Sequence, residues 1–390
     1  MSFVRLCPEA PHYLEFRGKL TPLITSAEHY GALLNLDFDY VRYLDTMAAE
    51  GLNQSRVFSG TYREIPGTSF GITHNTLAPG PGRFICPWAR SSEAGYVLGG
   101  NKFDLTAWDM DYFARLRDLV RKAGERNIVL EIVLFCYLYN DDLWRACPQN
   151  AESNVNRTGE AARNAVYTVD EGTLLRSQED VVRRIVSELR DEDNIYYEIM
   201  NEPYCDNDGS AFLPWQAHIA EVIADTEKDL SERHLVAQNF RNRTEMLRDV
   251  DPLVSICNFH YAEPSSVYVN YHLGRAIADD ETGFKGNDPT PYRREAWCFM
   301  LAGGAIFSHL DYSFVAGKED GTHVVDDTTP GIGGPAWRAQ LKALKGFLSG
   351  FDLRRMQPHT ELHPHAHGGV THVLARVGLD VQLDKPFVLA

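Results

Sequence analysis

Asn201-Glu202-Pro203 puts a carboxylate where a strand has to stop. It follows the largely apolar run 194–200, Asn-Ile-Tyr-Tyr-Glu-Ile-Met. Proline cannot donate to a sheet ladder, so the strand ends there and Glu202 is turned into the space above the sheet. Further on, segment 276–283, Ala-Ile-Ala-Asp-Asp-Glu-Thr-Gly, repeats the arrangement and carries Glu281. In a parallel α/β fold the C-terminal strand ends are where chemistry is done. Two strand-end carboxyls are what cleavage of a glycosidic bond needs. One is protonated and gives its proton to the leaving oxygen; the other is ionised and attacks the anomeric carbon. The competing explanation is that both belong to buried ion pairs.

Elements able to position such a pair are legible along the chain. Strands are expected at 23–26, 53–58, 128–135, 195–200, 234–239, 254–260, 276–280 and 305–310. Most are unbroken apolar runs, as parallel strands covered on both faces should be. Helical patterns alternate with them. Thr106 and Asp109 suggest a capping box ahead of Phe113, Leu116 and Val120, and Ser177 and Asp180 suggest another ahead of Val181 and Ile185. Pro214 fits a first helical turn. Segments 37–51, 291–303 and 336–351 complete the set, with shorter helical candidates at 241–251 and 264–274. Eight βα units predict a (β/α)8 TIM barrel. A doubly wound sheet is the alternative, but no Gly-rich phosphate loop follows the first strand. A hairpin turning at Gly18 precedes the barrel. Segments 59–105 and 137–176 are too long for ordinary connections and are expected to wall a cleft. The division expected is a catalytic barrel over 1–351 and a short C-terminal β extension over 352–390. That extension should pack on the barrel or pair with another chain, giving a possible homo-oligomer.

Composition narrows the class of partner. The 390 residues are 44% hydrophobic and 24% charged, as in a soluble globular protein. The net charge of −16 argues against nucleic acid or an anionic membrane. No apolar run reads as a signal peptide or a bilayer span, so a cytoplasmic location is expected. The seven cysteines are odd in number, scattered and without a Cys-x-x-Cys pair, which fits reduced thiols. Cys136 and Cys205 follow strand ends. His359, His363, His365 and His367 lack metal-site spacing and read as a solvated tail.

With these motifs in place, the chain resembles the clan A glycoside hydrolases, most nearly family 5, the cellulase-like group. Arg56 matches the group's arginine near the end of the second strand. Asn201-Glu202 matches the Asn-Glu pair closing the fourth, His260-Tyr261 the polar-aromatic end of the sixth, and Glu281-Thr282-Gly283 the Glu-x-Gly closing the seventh. The stretch 25–30 looks like the group's entry to the first strand. Two departures stand out. The eighth strand lacks the frequent tryptophan, and the third ends Phe135-Cys136-Tyr137 without the frequent histidine.

The resemblance implies a retaining β-glycosidase without a cofactor, acting on a carbohydrate. Glu202 would be the acid/base and Glu281 the nucleophile, whose charge should raise the proton affinity of Glu202. Asn201 would bond the sugar 2-hydroxyl, Tyr261 would orient the nucleophile, and Arg56 would keep it ionised. His260 joins this substrate-binding set. Glu28, His29 and Tyr30 after the first strand, and His309 and Asp311 after the eighth, are sugar-bonding candidates with packing or capping as the alternative. Trp88 and Tyr137 are candidates for stacking on a sugar face, with local core as the alternative. Strand residues alternate, so Asp280 should point away from the pocket if Glu281 faces in, and Asp279 is a lesser candidate nucleophile. Glu198 should lie lower in the barrel in a structural ion pair. Two other functions remain: a sugar-binding barrel without turnover, and a metal-dependent hydrolase using His29, His260 and His309.

Overall fold

The computed structural model describes residues 3–67, 70–170, 172–204 and 209–358, and the backbone of one strand beyond them, Leu374–Arg376. The expected hairpin is present. Arg5–Cys7 (β1) and Ala10–Phe16 (β2) pair antiparallel, and Lys19–Leu20 (β3) folds back on β2. Gly18 makes the turn at φ 74°. Val4, Leu14 and Phe16 from this sheet pack on Leu23, Val129, Ala276 and Ile306, at or near the starts of four barrel strands. The sheet is therefore a hydrophobic stopper for the bottom of the barrel.

Above it stand eight parallel strands. Leu23–Ala27 (β4) and Gln54–Phe58 (β5) come first. Trp88–Ala94 (β6) and Asn101–Trp108 (β7) form an antiparallel hairpin inside the long 59–105 insertion. Then follow Val129–Cys136 (β8), Ile195–Asn201 (β9), Val236–Asn242 (β10), Ile256–His260 (β11), Ala276–Thr282 (β12) and Ile306–Leu310 (β13). The ladder runs β4-β13-β12-β11-β10-β9-β8-β5. At the seam between β4 and β5 the Asn53 side chain bridges instead, accepting from Ile24 N at 2.9 Å and donating to Pro22 O at 3.0 Å. All eight expected strands are present, and the fold is a (β/α)8 barrel.

The helices between the strands are Tyr40–Glu50 (α1), Met110–Glu125 (α2), Asp141–Ala146 (α3), Gly172–Leu189 (α4), Leu213–Thr226 (α5), Ser265–Asn270 (α6), Pro289–Leu301 (α7) and Pro335–Leu348 (α8). Three expectations need correction. Asp109 alone caps α2, accepting from Asp111 N and Tyr112 N, while Thr106 lies in β7. Helix α4 starts well before Ser177, because Leu174 carries the buried stripe back by a turn. Segment 241–251 is not helical; Leu247 is buried but Met246 is exposed, which leaves no stripe for a helix to bury.

Past α8, Met356–Pro358 (β14) pairs antiparallel with Leu374–Arg376 (β15) of the same chain. The rest of the expected C-terminal extension, including the four histidines, lies outside the described residues, as does Cys205. The cysteines within them form no disulfide. No helix among the described residues is long and apolar enough to cross a membrane.

The 59–105 insertion is pinned against the loop after β4. Glu28 accepts from Gly31 N and Ala32 N at 2.9 Å each and from the Thr76 hydroxyl, and Asn35 Nδ2 donates to Thr76 O at 3.0 Å. Gly31 lies so close that a methyl group there would stand 2.2 Å from the Thr76 backbone. Gly31→Ala is therefore expected to destabilise the protein by roughly 1–3 kcal/mol, since backbone must move to admit it. Urea unfolding measures this, and an unchanged midpoint would mean that the loop is not seated.

Candidate active site

The middle of the barrel is charged, unlike the apolar layers usual in this fold. Arg56, fully buried on β5, donates to Glu198 from Nε at 3.0 Å and from Nη2 at 2.6 Å. It also reaches Asp280 at 3.4 Å and Glu131 at 3.9 Å. Glu131 accepts from Gln54 at 3.0 Å, Tyr196 at 2.9 Å and Asn258 at 2.9 Å. One guanidinium cannot balance three buried carboxylates. Burial, with Asp280 and Glu198 adding repulsion, pushes Glu131 well above the usual range, and burial raises Asp280 to about 6.

Arg56 also carries the layer up to the mouth. Nη2 donates to Asn201 Oδ1 at 2.8 Å and Nη1 to Glu281 Oε2 at 3.3 Å. Tyr30 donates to Glu281 Oε2 at 3.0 Å and Tyr261 to Oε1 at 2.9 Å. On the other side of the pocket Tyr139 donates to Glu202 Oε2 at 2.6 Å, and His260 Nδ1 lies 2.9 Å from Oε1. Glu202, His260 and Glu281 each offer an atom within 4.8 Å of the others. Backbone geometry sets these angles. Tyr30, Glu202 and Tyr261 all have left-handed φ, at 58°, 51° and 51°, each just past a strand. Such conformations persist where surrounding structure imposes them. Here Asn239 Oδ1 accepts from Glu202 N at 2.9 Å, and Tyr261 N donates to Glu281 O at 2.8 Å.

Asp280 does not alternate with Glu281 as expected but faces the barrel interior too. Against β11, Phe259 sits opposite Asp279 but His260 sits opposite Glu281, so β12 carries one extra residue there. This bulge breaks the two-residue period. Asp280 and Glu281 both reach the interior groups, Asp280 accepting from Asn258 at 2.6 Å. Asp279 instead accepts from Ala262 N and lies within electrostatic reach of Glu295 and Lys285, outside the barrel.

His260 is fully buried among Glu202, Asp280 at 3.3 Å and Glu281 at 3.6 Å. Burial alone would lower its pKa, but the surrounding carboxylates outweigh it and push it to about 9. A histidine with a raised folded-state pKa stabilises fully below its unfolded value, near 6.5, and loses that contribution as pH rises through about 9. Between those values the thermal midpoint should fall by several degrees more in the wild type than in His260→Asn. Parallel scans from pH 6 to 9.5 test this, and identical slopes would mean that His260 is neutral.

Several expected site residues lie elsewhere. His309 points out of the barrel, its ring 4.9 Å from those of Tyr292 and Trp337, with Ser26 Oγ at 3.2 Å from Nδ1. Its neighbour Asp311 pairs with Arg338 at 2.9 Å. His29, His260 and His309 therefore share no cavity. Trp88 is core, 1% exposed. Tyr137 packs edge-on against Tyr139 and Phe212, and its hydroxyl accepts from Arg163 at 2.8 Å. Glu28 is the loop staple already described, and burial raises it to about 7. His29 does line the pocket, with Asn201, Glu202, Tyr261 and Glu281. Sequence reasoning missed Tyr139, Tyr62, Glu64 and Phe284, which also line it. All but Phe284 come from the two long insertions; their aromatic content was the only available signal.

The cavity measures about 170 Å³, below the roughly 300–1,000 Å³ of sites for drug-sized ligands. Glu202, His260 and Glu281 could serve a divalent ion, once the His260 proton had left. The set Glu131, Glu198 and Asp280 is already served by Arg56.

No protein-family model and no curated protein matches the chain. Solved structures do. A candidate glycoside hydrolase from Bacteroides vulgatus superposes with a TM-score of 0.59 at 12% identity over 90% of this chain. This chain spans only 62% of that protein's length. The endo-β-1,4-mannanase of Thermotoga petrophila gives 0.55 at 16% identity, covering 87% of this chain and 80% of its own. A glycoside hydrolase family 5 mannosidase from Rhizomucor miehei gives 0.54 at 13% identity, covering 89% and 99%. At such identities the likeness is one of fold: the chain shares the (β/α)8 architecture of these proteins.

Proposed function

We propose that the protein is a retaining glycoside hydrolase acting on β-linked sugars, with Glu281 as nucleophile and Glu202 as acid/base. One observation carries the reading. Two strand-end carboxyls face a single pocket with oxygens within 4.8 Å. That is nearer the spacing of about 5–5.5 Å used for direct attack than the roughly 6.5–9.5 Å that leaves room for a water. Arg56, Tyr30 and Tyr261 aim the nucleophile and compensate its charge. His260 holds a proton 2.9 Å from Glu202 Oε1. Moving that proton along the hydrogen bond gives Glu202 the acid form it needs at the start. Glu202 then protonates the leaving oxygen as Glu281 forms the glycosyl ester, and takes a proton from water as the ester is hydrolysed.

The neighbours' names put β-mannosides first in a substrate panel. A 2-deoxy-2-fluoro-β-glycoside with a dinitrophenolate leaving group should label Glu281, read by peptide mass, and the first product released from an ordinary substrate should be the β-anomer by NMR. An α-anomer with no label would overturn the retaining assignment.

A further inference from the structure

Resting on that reading, we infer that the pocket receives the end of a sugar chain, and that Glu64 and His29 bind the hydroxyls of its terminal residue. Glu202 delivers its proton to the leaving group, so the departing sugar lies on the β9 side. The sugar held on Glu281 must then extend towards the loops after β4 and β5. Side chains wall that side. Tyr62, Glu64 and Leu77 line it, on the insertion that the Glu28–Thr76 contacts fix in place. Behind His29, the crevice lined by Ile72, His74 and Tyr312 holds about 10 Å³, enough for about one water and not for a sugar ring. An internal sugar needs a path for its neighbour on this side, and a terminal one does not.

The wall is partly polar. Glu64 is 2% exposed, with Tyr62 Oη 3.3 Å from Oε1 and Asn75 donating to Oε2. His29 Nε2 lies 3.8 Å from Glu64 Oε1. Burial and the charge of Arg56 push His29 down to about 3, so this contact is not an ion pair. Its Nδ1 is buried without a hydrogen-bond partner. A neutral imidazole beside a carboxylate offers donor and acceptor to sugar hydroxyls, and a chain end has one more of these on this side, at the position where an internal residue carries its next sugar.

The test uses β-linked tetrasaccharides of gluco, manno and galacto configuration, fluorescently tagged at the reducing end. The wild-type protein should shorten one of them by single residues, and methylation of the non-reducing-end hydroxyls should stop it. Glu64→Gln should lower kcat/KM on that substrate at least tenfold, mainly through KM, without shifting the thermal midpoint. Internal cleavage, or cleavage of the methylated substrate, overturns this inference and leaves the hydrolase standing. Unchanged kinetics in Glu64→Gln overturn the role of the wall. No cleavage of any member overturns both.

Discussion

Glu281→Ala is expected to lower turnover by on the order of 10⁴–10⁶-fold, the range seen when a nucleophile is lost from an intact site. The reason is geometric. Arg56 and Tyr30 hold Oε2 and Tyr261 holds Oε1, and in the proposed mechanism one of these two oxygens attacks the sugar. Removing it leaves the proton donor and the binding wall in place. Azide added at high concentration should then enter the space left behind and yield an α-glycosyl azide from a β-glycoside, because a single displacement inverts. The measurement is product configuration by NMR alongside kcat, with circular dichroism to establish that the variant is folded. Wild-type turnover in the folded variant would remove Glu281 from the mechanism.

Glu202→Ala should behave differently. Losing general acid catalysis costs about 10²–10⁴-fold, and only where the leaving group needs a proton. Alkyl glycosides and oligosaccharides should be lost, while a 2,4-dinitrophenyl glycoside should still form the glycosyl ester at near wild-type rate. Its hydrolysis would then limit turnover, since the same carboxyl is absent as base, and a burst of dinitrophenol should precede a slow steady state. Equal losses across all leaving groups would mean that Glu202 binds rather than transfers protons. His260 gives the experiment a second readout. Without Glu202 it loses one of its three carboxylate neighbours, so its imidazole proton should titrate at lower pH by NMR.

How much of this was legible in the sequence follows from the range of the forces involved. The strands were readable because most of them are largely apolar runs, a pattern internal to the segment. Glu202 was readable because proline ends its strand. Asp280 was not, because a bulge is decided by pairing with β11, and nothing in 276–283 announces the extra residue. The loop residues failed for a related reason. Trp88, Tyr137 and Tyr139 are all aromatics in long insertions, and only the packing of those insertions decides that Tyr139 meets Glu202 while Trp88 is core. His309 and Glu28 lie at strand ends as site residues would, but His309 faces outward and the loop folds back over Glu28. The charged layer around Arg56 was half visible. An ion pair at Glu198 was expected but not its partner, Arg56, which had been matched to Glu281 alone, whereas Glu131 sits in an otherwise apolar run that gave no reason to expect a carboxyl in the barrel.

The three left-handed residues that follow barrel strands at the pocket, Tyr30, Glu202 and Tyr261, carry a consequence for anyone seeking a hardier variant. A non-glycine residue held at such φ gives up about 1–2 kcal/mol, which glycine would recover. At exposed Arg157, φ 53°, that exchange should raise the melting temperature and touch nothing else. At Tyr30, Glu202 and Tyr261 the same exchange removes a group that the proposed mechanism uses to hold or perform the chemistry. On that mechanism, a random screen for heat resistance would tend to collect inactive variants at these three positions and active ones elsewhere. Plotting retained activity against melting temperature, position by position, would draw the outline of the site without any knowledge of its substrate.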